Sequence, residues 1–179
     1  MNMKHALIGL LVLAGHCTVA QKYTADKAFI SFFSDAAIED ITAENTKVST
    51  IFNSATGDIV YSVPMKDFKF AKSLMQEHFN EKYIESEKFP KATFQGKLVG
   101  FEMSKSGPQE ARAQGKLTIH GVTKDIDVPG TFEVSGKKVT MKSKFMVKVA
   151  DYNIEIPQLL FQNIAEQVEV TIDFAYKPM

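Results

Sequence analysis

From residue 92 onward, apolar and polar residues alternate along the chain with few interruptions. Ala92, Phe94, Gly96 and Leu98 alternate with Thr93, Gln95 and Lys97, and Ala111, Ala113, Gly115, Leu117 and Ile119 alternate with Arg112, Gln114, Lys116 and Thr118. The same period runs through Ile126, Val128, Phe132 and Val134, then Val139, Met141, Phe145, Val147 and Val149, and finally Val168, Val170, Ile172, Phe174 and Tyr176. A period of two with one apolar face predicts antiparallel strands whose other face meets water. Turn clusters at Ser106-Gly107-Pro108, His120-Gly121 and Ser135-Gly136-Lys137 separate them. Nearer the start, the run FISFFS at residues 29–34 predicts a first strand, and residues 36–45, of mixed polarity, a loop or short helical turn. Residues 47–52 and 58–63 form a hairpin around Gly57, closed by Pro64.

Between the two β blocks, residues 68–90 carry their apolar side chains at helical spacing. Phe68, Ala71, Leu74, Met75, His78 and Phe79 share one side of a helix, while Lys69, Lys72, Gln76, Glu77 and Asn80 share the other. Such a helix needs something to cover. The strand count is eight, three before this segment and five after it, so the fold class is all-β with one helical segment between the third and fourth strands. Eight antiparallel strands with a continuous apolar face close as a barrel able to hold one small ligand, and a sandwich is the alternative. Small inward residues at Ala111, Ala113 and Gly115 place that strand under the helix or beside a cavity. Apolar positions change from odd to even between Val149 and Tyr152, which predicts a bulge or bend at Ala150-Asp151 and a strand extension ended by Pro157. Residues 159–166 then connect to the last strand, with or without a helical turn.

Composition narrows the chemistry. Residues 1–20, with Lys4, an apolar run and Thr18-Val19-Ala20 before Gln21, have the form of a secretory signal peptide, which leaves residues 21–179 as one barrel domain. Lipidation at Cys17 is the less favoured alternative, because His16 stands where a small residue is wanted. Of 21 basic and 21 acidic residues only Lys4 lies in that segment, so the mature chain has 20 against 21, a net charge of −1. No basic excess invites nucleic acid or an anionic membrane, and no stretch after residue 20 is long and apolar enough to span a bilayer. Cys17 is the only cysteine, so the mature chain has no disulfide, thiol nucleophile or thiolate ligand. His78 and His120 are its two histidines, and their spacing fits no metal motif. There is also no nucleophile elbow, phosphate loop or dinucleotide fingerprint, so the reading is of a protein without cofactor, metal or catalytic group.

Residues 74–94, LMQEHFNEKYIESEKFPKATF, followed by Gly115-Lys116-Leu117-Thr118-Ile119-His120-Gly121-Val122-Thr123-Lys124, resemble the YceI-like family of exported bacterial proteins. The shared features are a histidine in a helical segment, an aromatic-Pro pair leading into a strand with Phe, and a Gly-x-Leu-Thr-Ile-x-Gly-Val-Thr-Lys hairpin. The resemblance implies a lipocalin-like barrel that binds polyisoprenoids or isoprenoid quinones, in the periplasm or secreted. The commoner pattern has an Arg-Asp pair shortly before the helical histidine, where this chain has Met75-Gln76-Glu77, and the usual histidine of the first strand is absent.

The expected function is therefore to sequester or carry an amphiphile with an apolar chain, of polyisoprenoid, isoprenoid quinone or fatty-acid type. Phe68, Leu74, Met75, Phe79, Phe94, Phe132 and Phe145 are the expected lining, and His78 the expected polar contact, unless it serves only to fix the helix. The reading is compatible with a homodimer. The alternative is a non-catalytic interaction module with a filled interior, and the discriminator is a cavity of several hundred cubic ångströms.

Overall fold

A computed structural model describes residues 21–35, 40–156 and 165–179. The expected signal peptide and most of the connection at residues 159–166 lie outside the described residues. Among the described residues ten strands form one antiparallel sheet: β1 (Lys22–Ser34), β2 (Ile41–Asn45), β3 (Ser49–Asn53), β4 (Asp58–Pro64), β5 (Lys69–Phe70), β6 (Lys91–Val99), β7 (Gly107–Ile119), β8 (Val122–Ser135), β9 (Lys138–Lys148) and β10 (Gln167–Pro178). Eight of them make a ring in the order β1-β3-β4-β6-β7-β8-β9-β10, and β10 returns to pair with β1 from Tyr23↔Pro178 to Phe33↔Glu169. The sheet is a closed barrel without a free edge in that ring. Two-residue connections serve where the sequence supplies them: His120 at φ 50° and Gly121 at φ 74° join β7 to β8 in a hairpin turn with both central residues left-handed.

The first β block differs from the sequence reading. Residues 41–45, expected as loop or helical turn, form β2 and pair with β1 from Ile30↔Asn45 to Ser34↔Ile41, in the register that β3 continues from Thr24↔Ile51. The two are one strand interrupted at residues 46–48. Ala43 and Asn45 are the inward positions, both fully buried, and an inward asparagine hides the alternation. Asn45 is accounted for by the fold: its Nδ2 donates to the Pro64 carbonyl at 2.8 Å and its Oδ1 accepts from the Lys47 amide at 2.8 Å. Those bonds bridge the point where β3 stays with β4 and β2 parts from it, which opens one end of the barrel.

Residues 65–90 are an excursion across that opening. It leaves and returns at one place, where the Met65 amide donates to the Pro90 carbonyl at 2.9 Å beside the Pro64↔Lys91 pair. The expected long helix is broken into pieces. A 3₁₀ turn (Met65–Asp67) is followed by β5, which pairs with β2 through Ala43↔Phe70, then by α1 (Ser73–His78) and a π turn (Phe79–Tyr83) closed by the Ile84 amide on the Phe79 carbonyl. Phe68 therefore lies in extended backbone before the helix rather than on it. The phase change after β9 is a 3₁₀ turn (Val149–Tyr152) ended by left-handed Asn153, which bends the chain at the expected Ala150-Asp151, whereas the expected strand extension after it does not form among the described residues.

The half of the barrel away from this opening is solid. Phe52, Phe132 and Tyr176 are essentially inaccessible, and Phe101 meets Phe132 at 4.7 Å and Phe52 at 5.5 Å between ring centroids. Tyr176 has a defined partner. Thr50 spends its hydroxyl proton on the Val60 carbonyl at 2.9 Å, so the Tyr176 hydroxyl donates to Thr50 Oγ1 at 2.8 Å.

Gly96 on β6 and Ala111, Ala113 and Gly115 on β7 serve the packing and do not line a cavity. Gly96 and Gly115 are direct cross-strand partners, and a Cβ on Gly115 would stand 2.4 Å from the Gln95 carbonyl oxygen and 2.5 Å from the Gly96 Cα. A Cβ on Gly96 would also stand 2.7 Å from the Phe94 ring, so the pair makes room for that ring. Gly115→Ala is expected to lower the unfolding free energy by about 3 kcal/mol, since backbone cannot yield as a side chain can. Urea denaturation checks this, and a midpoint like that of the parent protein would show that the strands relax.

Candidate functional site

The end spanned by the excursion is hollow. Its cavity has a volume of about 520 Å³ and lies between the inward faces of β1, β4, β7, β9 and β10 and the underside of α1. That volume is within the range of small-molecule sites, roughly 300–1,000 Å³. The wall follows from the alternation: Ile30 and Phe32 from β1, Tyr61 and Val63 from β4, Leu117 and Ile119 from β7, Phe145 and Val147 from β9, and Val168, Val170 and Ile172 from β10. All are inward positions of their strands.

Among the residues singled out from sequence, Phe68, Leu74, Met75, His78, Phe79 and Phe145 line this cavity, whereas Phe94 and Phe132 do not. Phe132 belongs to the solid half, and Phe94 lies under the cavity, stacked on Tyr61 at 5.0 Å with the ring planes 19° apart. Phe174 meets Tyr61 from another side at 5.8 Å, so Phe94 and Phe174 hold the Tyr61 ring as the floor. Phe32, Phe70, Tyr61, Lys72 and Tyr83 were missed as lining. Phe32 could have been found by carrying the alternation of β1 through Ala28 and Ile30.

The lid is held from both sides. On the β1 side Phe79 packs on Phe32, Phe68 and Phe70 with ring centroids 5.6, 5.6 and 5.0 Å away. Leu74, in contrast, is 59% exposed, with the unbroken apolar helix face replaced by a single turn over the opening. On the far side the anchor is His120. Its Nδ1 faces the Tyr152 carbonyl at 3.1 Å and its Nε2 faces Glu85 Oε2 at 2.9 Å, while Phe89 of the lid packs edge-on against its ring at 4.4 Å. A carbonyl only accepts, so Nδ1 carries a hydrogen, and Nε2 completes an ion pair with Glu85 when the ring is protonated. Glu85 reaches it with φ at 46°, a conformation rarely adopted outside glycine, so the geometry of the lid end is imposed from outside. His120→Ala is expected to remove about 1–2 kcal/mol from the lid anchor and to raise amide exchange over residues 79–90 selectively. Uniform exchange across the barrel would contradict a local latch.

Polar groups in the cavity wall are few: Ser34, Tyr61, Lys72, His78 and Tyr83. Ser34 Oγ is taken by the Ala165 amide at 2.9 Å. Burial pushes the Tyr61 phenol well up, with Tyr176 and Tyr152 adding to it, and burial also raises Tyr83. At ordinary pH both are neutral hydroxyls. His78 and Lys72 sit at the lid, where the notional Arg-Asp position of the resemblance is filled by Met75-Gln76-Glu77. Among the described residues no three His, Cys, Asp or Glu side chains meet in a way that could hold a metal ion, and no helix is long and apolar enough to cross a membrane.

The pattern of the YceI-like domain matches residues 22–176. The chain belongs to the YceI-like domain family. Solved structures share the fold at low identity. A polyisoprenoid binding domain from Saccharophagus degradans implicated in plant cell wall breakdown is 18% identical with a TM-score of 0.76, over 88% of this chain and 98% of that one. BcnA of Burkholderia cenocepacia is 18% identical with a TM-score of 0.71, over 83% and 95%. The YceI protein of Campylobacter jejuni is 15% identical with a TM-score of 0.55, over 100% and 91%. No curated protein matches the chain. Within this YceI-like barrel, the floor at Tyr61 and the lid at residues 65–90 are the two boundaries of the hollow half.

Proposed function

We propose that this YceI-like protein is a non-catalytic carrier that sequesters one amphiphile with an apolar chain, of polyisoprenoid, isoprenoid quinone or fatty-acid type, after export to the periplasm or beyond. The observation that carries the reading is the cavity of about 520 Å³, walled almost wholly by apolar side chains, in a barrel whose other half is solid. A filled interior is what the alternative, an interaction module, requires. The polyisoprenoid binding domain with the same fold supports the ligand class. Affinity arises from burial, since each methylene taken out of water contributes about 0.8 kcal/mol and no reacting group is needed. Phe68, Leu74, Met75, Phe79 and Phe145 contact the chain in this reading, and His78 with Lys72 stands nearest a headgroup left at the mouth.

Displacement of the fluorescent dye N-phenylnaphthylamine by hexadecanoate and by hexadecanol tests it. Saturable, one-to-one displacement is expected. Failure of both, with the dye itself unbound, would remove the carrier reading and leave the interaction module.

A further inference from the structure

Among the described residues the Tyr61 hydroxyl has no hydrogen-bond partner, yet it is not on the outer surface. Tyr61 is an inward residue of β4, between buried Ile59 and Val63, and its ring is held by Phe94 and Phe174. The accessible surface it keeps is therefore cavity surface, at the end opposite the lid. Tyr176, deeper in the barrel, shows the contrast, since its hydroxyl is matched to Thr50. A hydroxyl turned into an apolar cavity without a protein partner is costly, so such a floor would ordinarily be furnished with Phe.

Resting on the carrier reading, we infer that Tyr61 is a hydrogen-bonding station at the cavity floor for a neutral oxygen at the inner end of the ligand, an alcohol or a carbonyl. Such a ligand enters oxygen first, and Tyr61 Oη donates to it. The surroundings choose neutral over charged. Ile30, Leu117 and Ile172 face the same floor and bring no counter-charge, while the lysine of the cavity wall, Lys72, is at the lid. A carboxylate or phosphate placed at Tyr61 would be buried on a single donor, so an anionic amphiphile binds the other way round, with its head at the mouth.

Tyr61→Phe keeps the ring and its stacking and deletes only the donor. In dye displacement the variant is expected to lose about three- to tenfold in affinity for hexadecanol while hexadecanoate changes by less than twofold. Its melting temperature, measured alongside, should equal or exceed that of the parent, because an unpaired polar group has gone. An unchanged ratio between alcohol and carboxylate would overturn the floor station while leaving the carrier reading intact. If neither ligand binds the parent protein, the carrier reading falls and the station with it.

Discussion

Val170→Phe is expected to weaken binding of an apolar-chain ligand by at least about tenfold without destabilising the ligand-free barrel. Val170 is an inward residue of β10, opposite Phe32 on β1 and Phe145 on β9, and is only partly covered because it faces the cavity. A phenyl ring there would occupy space that is empty, next to two rings it can pack against. Filling a void commonly adds about 0.5–2 kcal/mol to stability, so the melting temperature should hold or rise while capacity is lost. That opposition is the useful part, because a substitution that merely damages the fold lowers both. Dye displacement and thermal unfolding on the same preparation measure it, and undiminished ligand affinity in a folded variant would show that the cavity is not where the ligand goes.

Phe132→Ala is expected to do the reverse. Phe132 is fully buried in the solid half, with Phe101 at 4.7 Å and Phe52 at 5.9 Å. Truncation leaves a hole that those rings cannot close, and about 3–5 kcal/mol of unfolding free energy is expected to go. Below the unfolding transition the variant should still bind ligand within about threefold of the parent, because the floor at Tyr61 separates the new hole from the cavity. A loss of binding in step with the loss of stability would mean that the two halves are one structural unit.

These two residues show what alternation along a sequence can and cannot say. A period of two assigns each side chain to a face, and for Phe94, Phe132, Phe145 and Val170 the inward assignment is correct. Height along the barrel is another coordinate, set by the strand register. Phe132 and Phe145 look equivalent in sequence, but pairing of Phe132 with Gln109 and Phe145 with Val170 puts one in the solid half and the other in the cavity wall. Fold class was legible because the last five strands alternate cleanly and the first three of their four connections carry Gly at positive φ, at Gly100, Gly121 and Gly136. The excursion was legible as a helical interruption but not in its shape. Phe68 has helical spacing with Phe79 and Phe70 does not, yet both reach it, from a 3₁₀ turn and a two-residue strand, because β2 offers Phe70 an edge to pair with. That edge was itself invisible, hidden by the buried Asn45. Tyr61 was missed for a similar reason: one phenol among apolar inward residues reads as core until its neighbours and its missing partner are seen.

A carrier of this kind has its hollow half occupied in the cell. Native mass spectrometry of the protein purified without detergent from the organism that makes it is the most direct measurement. The predicted result is a mass shift corresponding to a single apolar amphiphile, lost on unfolding and absent from Val170→Phe prepared in the same way. Repeated recovery of the bare chain mass from such preparations would contradict the account.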